Sequence, residues 1–159
     1  MTRTAAVLVA STRAAAGAYE DRTGPVITEW LRGRGFETAE PVVVADAAIT
    51  DALTALLAQH PDVLLTTGGT GISPDDRTPE ATRAVLDAEL PGIAEEVRRR
   101  GTLVTPTAIL SRAVAGVAGR TFVMNLPGST GGVRDGLAVL DGILDHVLDQ
   151  LGGGDHALS

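Results

Sequence analysis

The sequence predicts a three-layer α/β domain, with helices on both faces of a mostly parallel sheet and a small added hairpin or edge strand. Three observations carry that expectation. Short apolar runs at residues 5–10, 42–44 and 63–66 lack polar alternation, as strands covered on both faces should. Between them lie stretches with apolar residues at helical spacing, so strand and helix alternate along the chain. Hydrophobic residues make up 44% of the 159 but aromatics only 3%, so the core must come from Leu, Val, Ile and Ala.

Residues 5–10 form the first predicted strand. Arg3 before this run and Ala14-Ala15-Ala16 after it give the start some likeness to a secretion signal, but the apolar run is too short for one. A loop, S-T-R-A-A-A-G-A-Y-E-D-R-T-G, leads to a helix over 25–32. Pro25 suits its first turn, Ile27, Trp30 and Leu31 supply its apolar face, and Gly33 and Gly35 stop it. Residues 36–45 read as a second strand with 42–44 as its buried end, and Asp46 lies just past it. A helix over 49–59 repeats Ile49, Leu53, Leu56 and Leu57 at helical spacing.

The third strand, 63–66, runs into a glycine turn, an acidic loop and a helix over 78–90, with Thr78 as N-cap and Pro79 as first helical residue. Pro91-Gly92 breaks that helix. Another follows over 93–100, where Glu95-Glu96 and Arg98-Arg99-Arg100 read as a solvated charged face. Two apolar runs within 113–125 flank Gly119 and suggest a hairpin or edge strand. A turn over 126–129 ends in Ser129, a potential N-cap. The last helix, 132–151, carries one apolar stripe from Val133 to Leu151, and 152–159 reads as a flexible tail. Residues 1–151 are expected to form a single domain.

Composition excludes several functions. The net charge of −7 argues against a nucleic-acid surface, and no segment is long enough to span a membrane. All thirteen cationic side chains are arginines, which excludes a phosphate-gripping lysine and a Schiff base. With no cysteine there is no disulfide, thiolate metal site or cysteine nucleophile, and a cytoplasmic setting is expected. His60, His146 and His156 lack metal-ligand spacing and read as surface residues.

The chemistry gathers at strand ends. Gly68, Gly69, Thr70 and Gly71 follow a strand directly, and such a turn exposes main-chain N–H groups to an anion, usually phosphate. Asp46 and Asp76 on neighbouring loops could hold Mg²⁺ against a nucleoside triphosphate. The helix start at Ser129 gives a second anion cradle. Two cradles with a metal between them suit transfer of a phosphoryl or nucleotidyl group between two anionic substrates. Taken singly, Asp46 and Ser129 are ordinary N-cap residues and Arg112 is ordinary surface charge.

The same residues carry a family resemblance. T-T-G-G-T-G at 66–71, followed by D-x-T-P-E-A-T at 76–82, resembles the molybdopterin-binding signature of the MoaB/Mog family. Companion motifs stand in order: S-x-R and G-x-x-x-D-x-x-G-P near the start, I-L-S-R at 109–112 and N-L-P-G-S at 125–129. The resemblance spans about residues 5–151. It implies a molybdopterin adenylyltransferase that takes ATP and molybdopterin to adenylylated molybdopterin and pyrophosphate with Mg²⁺. It further implies Asp46 and Asp76 as catalytic and metal-binding residues. Thr67, Gly68, Gly69, Thr70, Gly71, Pro127, Gly128 and Ser129 are implied for pterin and phosphate, and Ser11, Arg13 and Asn125 for the nucleotide. A homotrimer, or a hexamer of two such rings, is expected. The alternative is a non-catalytic molybdopterin-binding or scaffold paralogue. The chain departs from the family pattern at Thr12, where Asp or Asn is usual, and at Thr130-Gly131, where Pro-Lys is common. The amides of residues 130–132 are then left to replace the lysine.

Overall fold

An apolar run without a polar side has to be covered on both faces, and that requirement places these runs at the centre of the sheet. In the computed structural model, which describes residues 2–153, the chain runs β1 (Thr4–Ala10), α1 (Thr12–Ala15), α2 (Thr23–Gly33), β2 (Glu37–Thr38), β3 (Val42–Val44), α3 (Ile49–Leu57) and β4 (Val63–Thr67). It continues through α4 (Thr78–Arg83), β5 (Ala88–Glu89), α5 (Pro91–Thr102), β6 (Ala115–Ala118), β7 (Thr121–Leu126), α6 (Thr130–Asp141) and α7 (Leu144–Leu151). Single 3₁₀ turns occupy Asp46–Ala48 and Pro106–Leu110. The sheet order is β2-β1-β4-β7-β6-β5, with β3 also paired to β1. All pairings are parallel except those of β6 with β7 and of β5 with β6.

Period-two alternation sorts the strand residues between two cores. Val63, Leu65, Phe122, Met124 and Leu126 face α2, α5, α6 and α7, which contribute Ile27, Leu31, Val97, Val133, Leu140 and Leu144. Leu8, Leu64 and Val123 face α3 and α4, meeting Ile49, Leu53, Leu56 and Ala81. Each large side chain fully buried here adds about 1.5–3 kcal/mol of transfer free energy. Among the described residues no helix is long and apolar enough to cross a membrane.

Several elements differ from expectation, each for a local reason. The second strand is two, β2 and β3, because the chain between them includes Pro41, which has no N–H for the ladder. Its end is a sheet edge, so Val42 is exposed and Val43 and Val44 are half-buried. The loop after β1 contains α1, capped by Ser11 Oγ accepting from Ala14 N at 3.1 Å. Asp21 Oδ1 accepts from Gly24 N at 3.0 Å, and α2 starts at Thr23, ahead of Pro25.

The helix expected over 78–90 stops at Arg83. Beyond it Asp87 N donates to Val117 O and Leu90 N to Ala115 O, both at 2.8 Å, so strand pairing takes these backbone groups instead. Thr78 is the first residue inside α4 and not its N-cap, and its buried Oγ1 has no partner. The last helix begins at Thr130 and breaks at Gly142-Ile143, where glycine weakens the helix, so one sequence stripe lies on two axes. Arg98, expected on a solvated face, donates to the carbonyls of Ser111 and Ala113 at 3.2 and 3.0 Å. The hairpin around Gly119 forms, and its second strand, β7, is central to the sheet. Of the expected tail, residues 154–159 lie outside the described residues.

Candidate functional site

Parallel strands end on one edge, and β1, β3, β4 and β7 bring the segments after Ala10, Val44, Thr67 and Leu126 together there. Gly68 continues from β4 with φ +87° and donates its N–H to Leu126 O at 3.2 Å. A Cβ there would run into the Ala10 carbonyl oxygen, so only glycine fits. Gly69 follows at φ +69°. A Cβ on it would collide with Thr78 Oγ1 and lie 3.3 Å from Asp46 Oδ1.

The turn then presents its two sides differently. Its carbonyls face the protein: Gly69 O accepts from Thr78 N (3.2 Å), Thr70 O from Arg112 N (2.8 Å) and Gly71 O from Arg112 Nε (2.8 Å). Among the described residues the amides of Gly69, Thr70 and Gly71 have no acceptor. Three free N–H groups in a row make a candidate anion cradle. Gly68, expected to contribute a fourth, is taken up by Leu126.

The second cradle is the start of α6. Ser129 Oγ accepts from Gly132 N at 3.1 Å, while the amides of Thr130 and Gly131 lack acceptors among the described residues. The two turns are fastened to each other. Thr67 Oγ1 donates to Pro127 O at 2.7 Å, and a Cβ on Gly128 would lie 3.5 Å from Gly68 Cα.

Two clefts open from this junction and share Gly68, Gly128 and Ser129 in their walls. The larger, about 750 Å³, is mostly apolar and includes Val97, Val104 and Leu110, with Asp76, Arg98 and Asp135 as charged residues. The smaller, about 410 Å³, lies beside Ser11, Tyr19, Asp21, Arg22 and Thr130.

Asp76 lines the larger cleft. Its Oδ2 accepts from Ser73 N at 3.2 Å and lies 2.7 Å from where a Gly71 Cβ would be. Asp46 lies against Gly69, outside both cleft walls, with Thr12 Oγ1 donating to its Oδ2 at 2.9 Å. Asp46 N in turn donates to Thr12 Oγ1 at 3.1 Å, so threonine at position 12 orients the carboxylate. Each aspartate keeps one oxygen without a partner among the described residues. Nowhere among the described residues are three or more His, Cys, Asp or Glu gathered so as to hold a metal alone. Asp46 beside Gly69 and Asp76 beside Gly71 each offer a carboxylate oxygen along the same turn, the kind of hard donor that suits Mg²⁺, which keeps several waters and takes further ligands from substrate phosphates.

The expected nucleotide residues fall in three places. Ser11 lines the smaller cleft, while Arg13 is exposed on α1 outside both walls. Asn125 is buried; its Nδ2 donates to Thr66 Oγ1 and Thr82 Oγ1, both at 2.9 Å, and its Oδ1 accepts from Val114 N at 3.2 Å. His60 and His146 are exposed, and His156 lies outside the described residues.

Sequence reasoning missed Arg112. Its Nη2 donates to Asp76 O at 2.9 Å and its Nη1 grips both oxygens of Glu80 at 2.7 and 2.9 Å, besides the contacts to Thr70 and Gly71. That hydrogen bond, with the guanidinium's charge, holds the Glu80 carboxyl below its usual value. The I-L-S-R motif was the only sequence signal for this clamp.

A family model described as a probable molybdopterin binding domain matches residues 6–146. A molybdenum cofactor biosynthesis bifunctional protein of Synechococcus elongatus is 42% identical over 154 residues, covering 96% of this chain and 48% of that protein. The molybdopterin adenylyltransferase of Escherichia coli is 36% identical over 140 residues, covering 85% of this chain and 70% of that one. The chain thus spans about half the length of the bifunctional relatives that it matches, 48% and 49%. Among solved structures, the molybdopterin biosynthesis Mog protein of Mycobacterium ulcerans superposes with a TM-score of 0.90 at 53% identity, over 94% of this chain and 99% of that one.

Proposed function

The chain belongs to the family of probable molybdopterin binding domains, and from that premise we propose that it adenylylates molybdopterin. A phosphate oxygen of the pterin attacks the α-phosphorus of ATP, the bond to the α,β-bridging oxygen breaks, and pyrophosphate leaves with that oxygen. One observation carries this reading: two anion cradles with free amides touch at Gly68 and Gly128, between two clefts of unequal size. The larger, apolar cleft takes the pterin and the smaller one the nucleotide.

In this reading the amides of Gly69, Thr70 and Gly71 and the Ser129 helix start align the two phosphates, which lowers the barrier by orientation. Thr67 and Pro127 hold the two turns in register. Ser11 faces the nucleotide, and Asn125 supports the site by tying β4 to α4, while Arg13 stands outside the cleft walls on α1. Asp46 and Asp76 would hold Mg²⁺, which supplies charge neutralisation on the phosphates when bound. A cytoplasmic setting fits a reaction that consumes ATP. We take the working assembly as a homotrimer, or two stacked trimers, supported by the exposed apolar group Leu103, Val104, Ile109 and Leu110 beside the larger cleft.

The test is to incubate the protein with molybdopterin, Mg-ATP and pyrophosphatase and look for adenylylated pterin. The wild type should make it, and Asp76→Asn should bind pterin but lose turnover. Turnover in that variant equal to wild type removes Asp76 from the mechanism. Pterin binding without product in the wild type leaves the non-catalytic pterin-binding role instead.

A further inference from the structure

A chain with net charge −7 repels a polyphosphate at long range, so binding one requires cations placed locally. It has no lysine to supply them. Most of its arginines are already engaged. Arg3, Arg32, Arg34, Arg83, Arg99, Arg100 and Arg112 are ion-paired, and Arg98 is taken up by two carbonyls. Of the rest, Arg22 is the one in the wall of a cleft opening on the cradles.

Its surroundings leave the guanidinium open. Among the described residues Arg22 has neither a carboxylate partner nor a side-chain hydrogen bond. The neighbouring Asp21 turns Oδ1 to Gly24 N at 3.0 Å. The Arg22 guanidinium instead rests 5.8 Å from the centre of the Tyr19 ring, and both residues line the smaller cleft. Stacking on an aromatic face narrows the rotamers of a long side chain while its N–H fork stays free. Ser129 and Thr130, where α6 begins, form part of the same cleft.

We infer that Arg22 grips the phosphate tail of the nucleotide in the smaller cleft, supplying the cation that Thr130-Gly131 does not. Tyr19 positions it. A guanidinium suits this role because its fork matches two phosphate oxygens at once. The inference rests on the proposed nucleotide chemistry, but it is testable apart from turnover.

Calorimetric titration of the full chain with inorganic tripolyphosphate and with ATP provides the test. Arg22→Gln should weaken both by about tenfold to a hundredfold, the range for a charge-assisted hydrogen bond. Arg22→Lys should recover part of the loss. Arg120→Gln makes the same charge change at the exposed hairpin tip and should leave both affinities unchanged. Unaltered binding in Arg22→Gln, an equal loss in Arg120→Gln, or no uptake of tripolyphosphate by the wild type would each overturn the inference. Failure of the proposed function looks different. Tripolyphosphate bound through Arg22 without any adenylylated pterin keeps this site and loses the activity. Turnover with an unchanged KM for ATP in Arg22→Gln keeps the activity and loses this site.

Discussion

Arg112 shows how much one side chain can organise. It joins the loop after β4, at Gly71 O and Asp76 O, to the Glu80 carboxylate on α4. Holding these carbonyls inward is what leaves the turn's amides outward. Arg112→Gln should therefore barely move the global urea midpoint, since the pair is partly exposed and such pairs contribute little. The exchange protection of the Ser73 and Asp76 amides should fall by roughly tenfold, because local opening no longer breaks the Arg112 bonds. Acid should mimic the substitution. The Glu80 carboxyl is held below its usual value, so its contribution is complete above that value and is lost as pH falls through the lowered one. An unchanged exchange rate in the variant removes Arg112 from the positioning of the loop.

At the scale of elements, α5 is a helix built against its own composition. Gly92 and Gly101 are poor helix formers, and only Ala94 and Val97 of its residues are buried. Its last turns are tied by Glu96, which accepts from Arg99 at 2.9 and 2.7 Å and from Arg100 at 3.2 Å. Hydrogen bonds from Arg99, then Arg100, hold the Glu96 carboxyl down to about 2 from an ordinary 4.5. A lowered carboxylate stabilises above its unfolded value, and that contribution fades between about 4.5 and about 2. The protection factors of the α5 amides, measured against unstructured peptides at the same pH, should fall across that window in the wild type and lose this dependence in Glu96→Gln. The element matters because Val97, Arg98 and Gly101 line the larger cleft.

For the whole molecule, Val104 is 84% exposed and Leu103 is 76% exposed, next to Ile109 and Leu110 at the mouth of the larger cleft. An apolar group of this kind is expected to be covered by another copy. Sedimentation at micromolar concentration should give about three times the 16.3 kDa chain mass, or twice that for stacked rings. Replacing Val104 and Leu110 together with aspartate should shift the protein towards the single-chain mass. A wild-type monomer at every concentration that still turns over removes the trimer from the mechanism.

Where a single local rule decides, the sequence alone determined the outcome. The runs at 5–10 and 63–66 became β1 and β4 because burial on both faces demands an unbroken apolar strand. Gly68 and Gly69 became a left-handed turn because no other residue fits beside Ala10 and Thr78. The tertiary structure decided what depends on competition between partners. Residues 88–89 left a helical pattern because β6 offered hydrogen bonds. Asn125, expected from its motif at the nucleotide, lines the larger cleft and joins two buried threonines, a placement made by the sheet register and by α4. Arg22 and Arg112 look alike in sequence, as charges in loops. Packing alone separated them, because Arg112 found carbonyls and a carboxylate within reach and Arg22 found only an aromatic face.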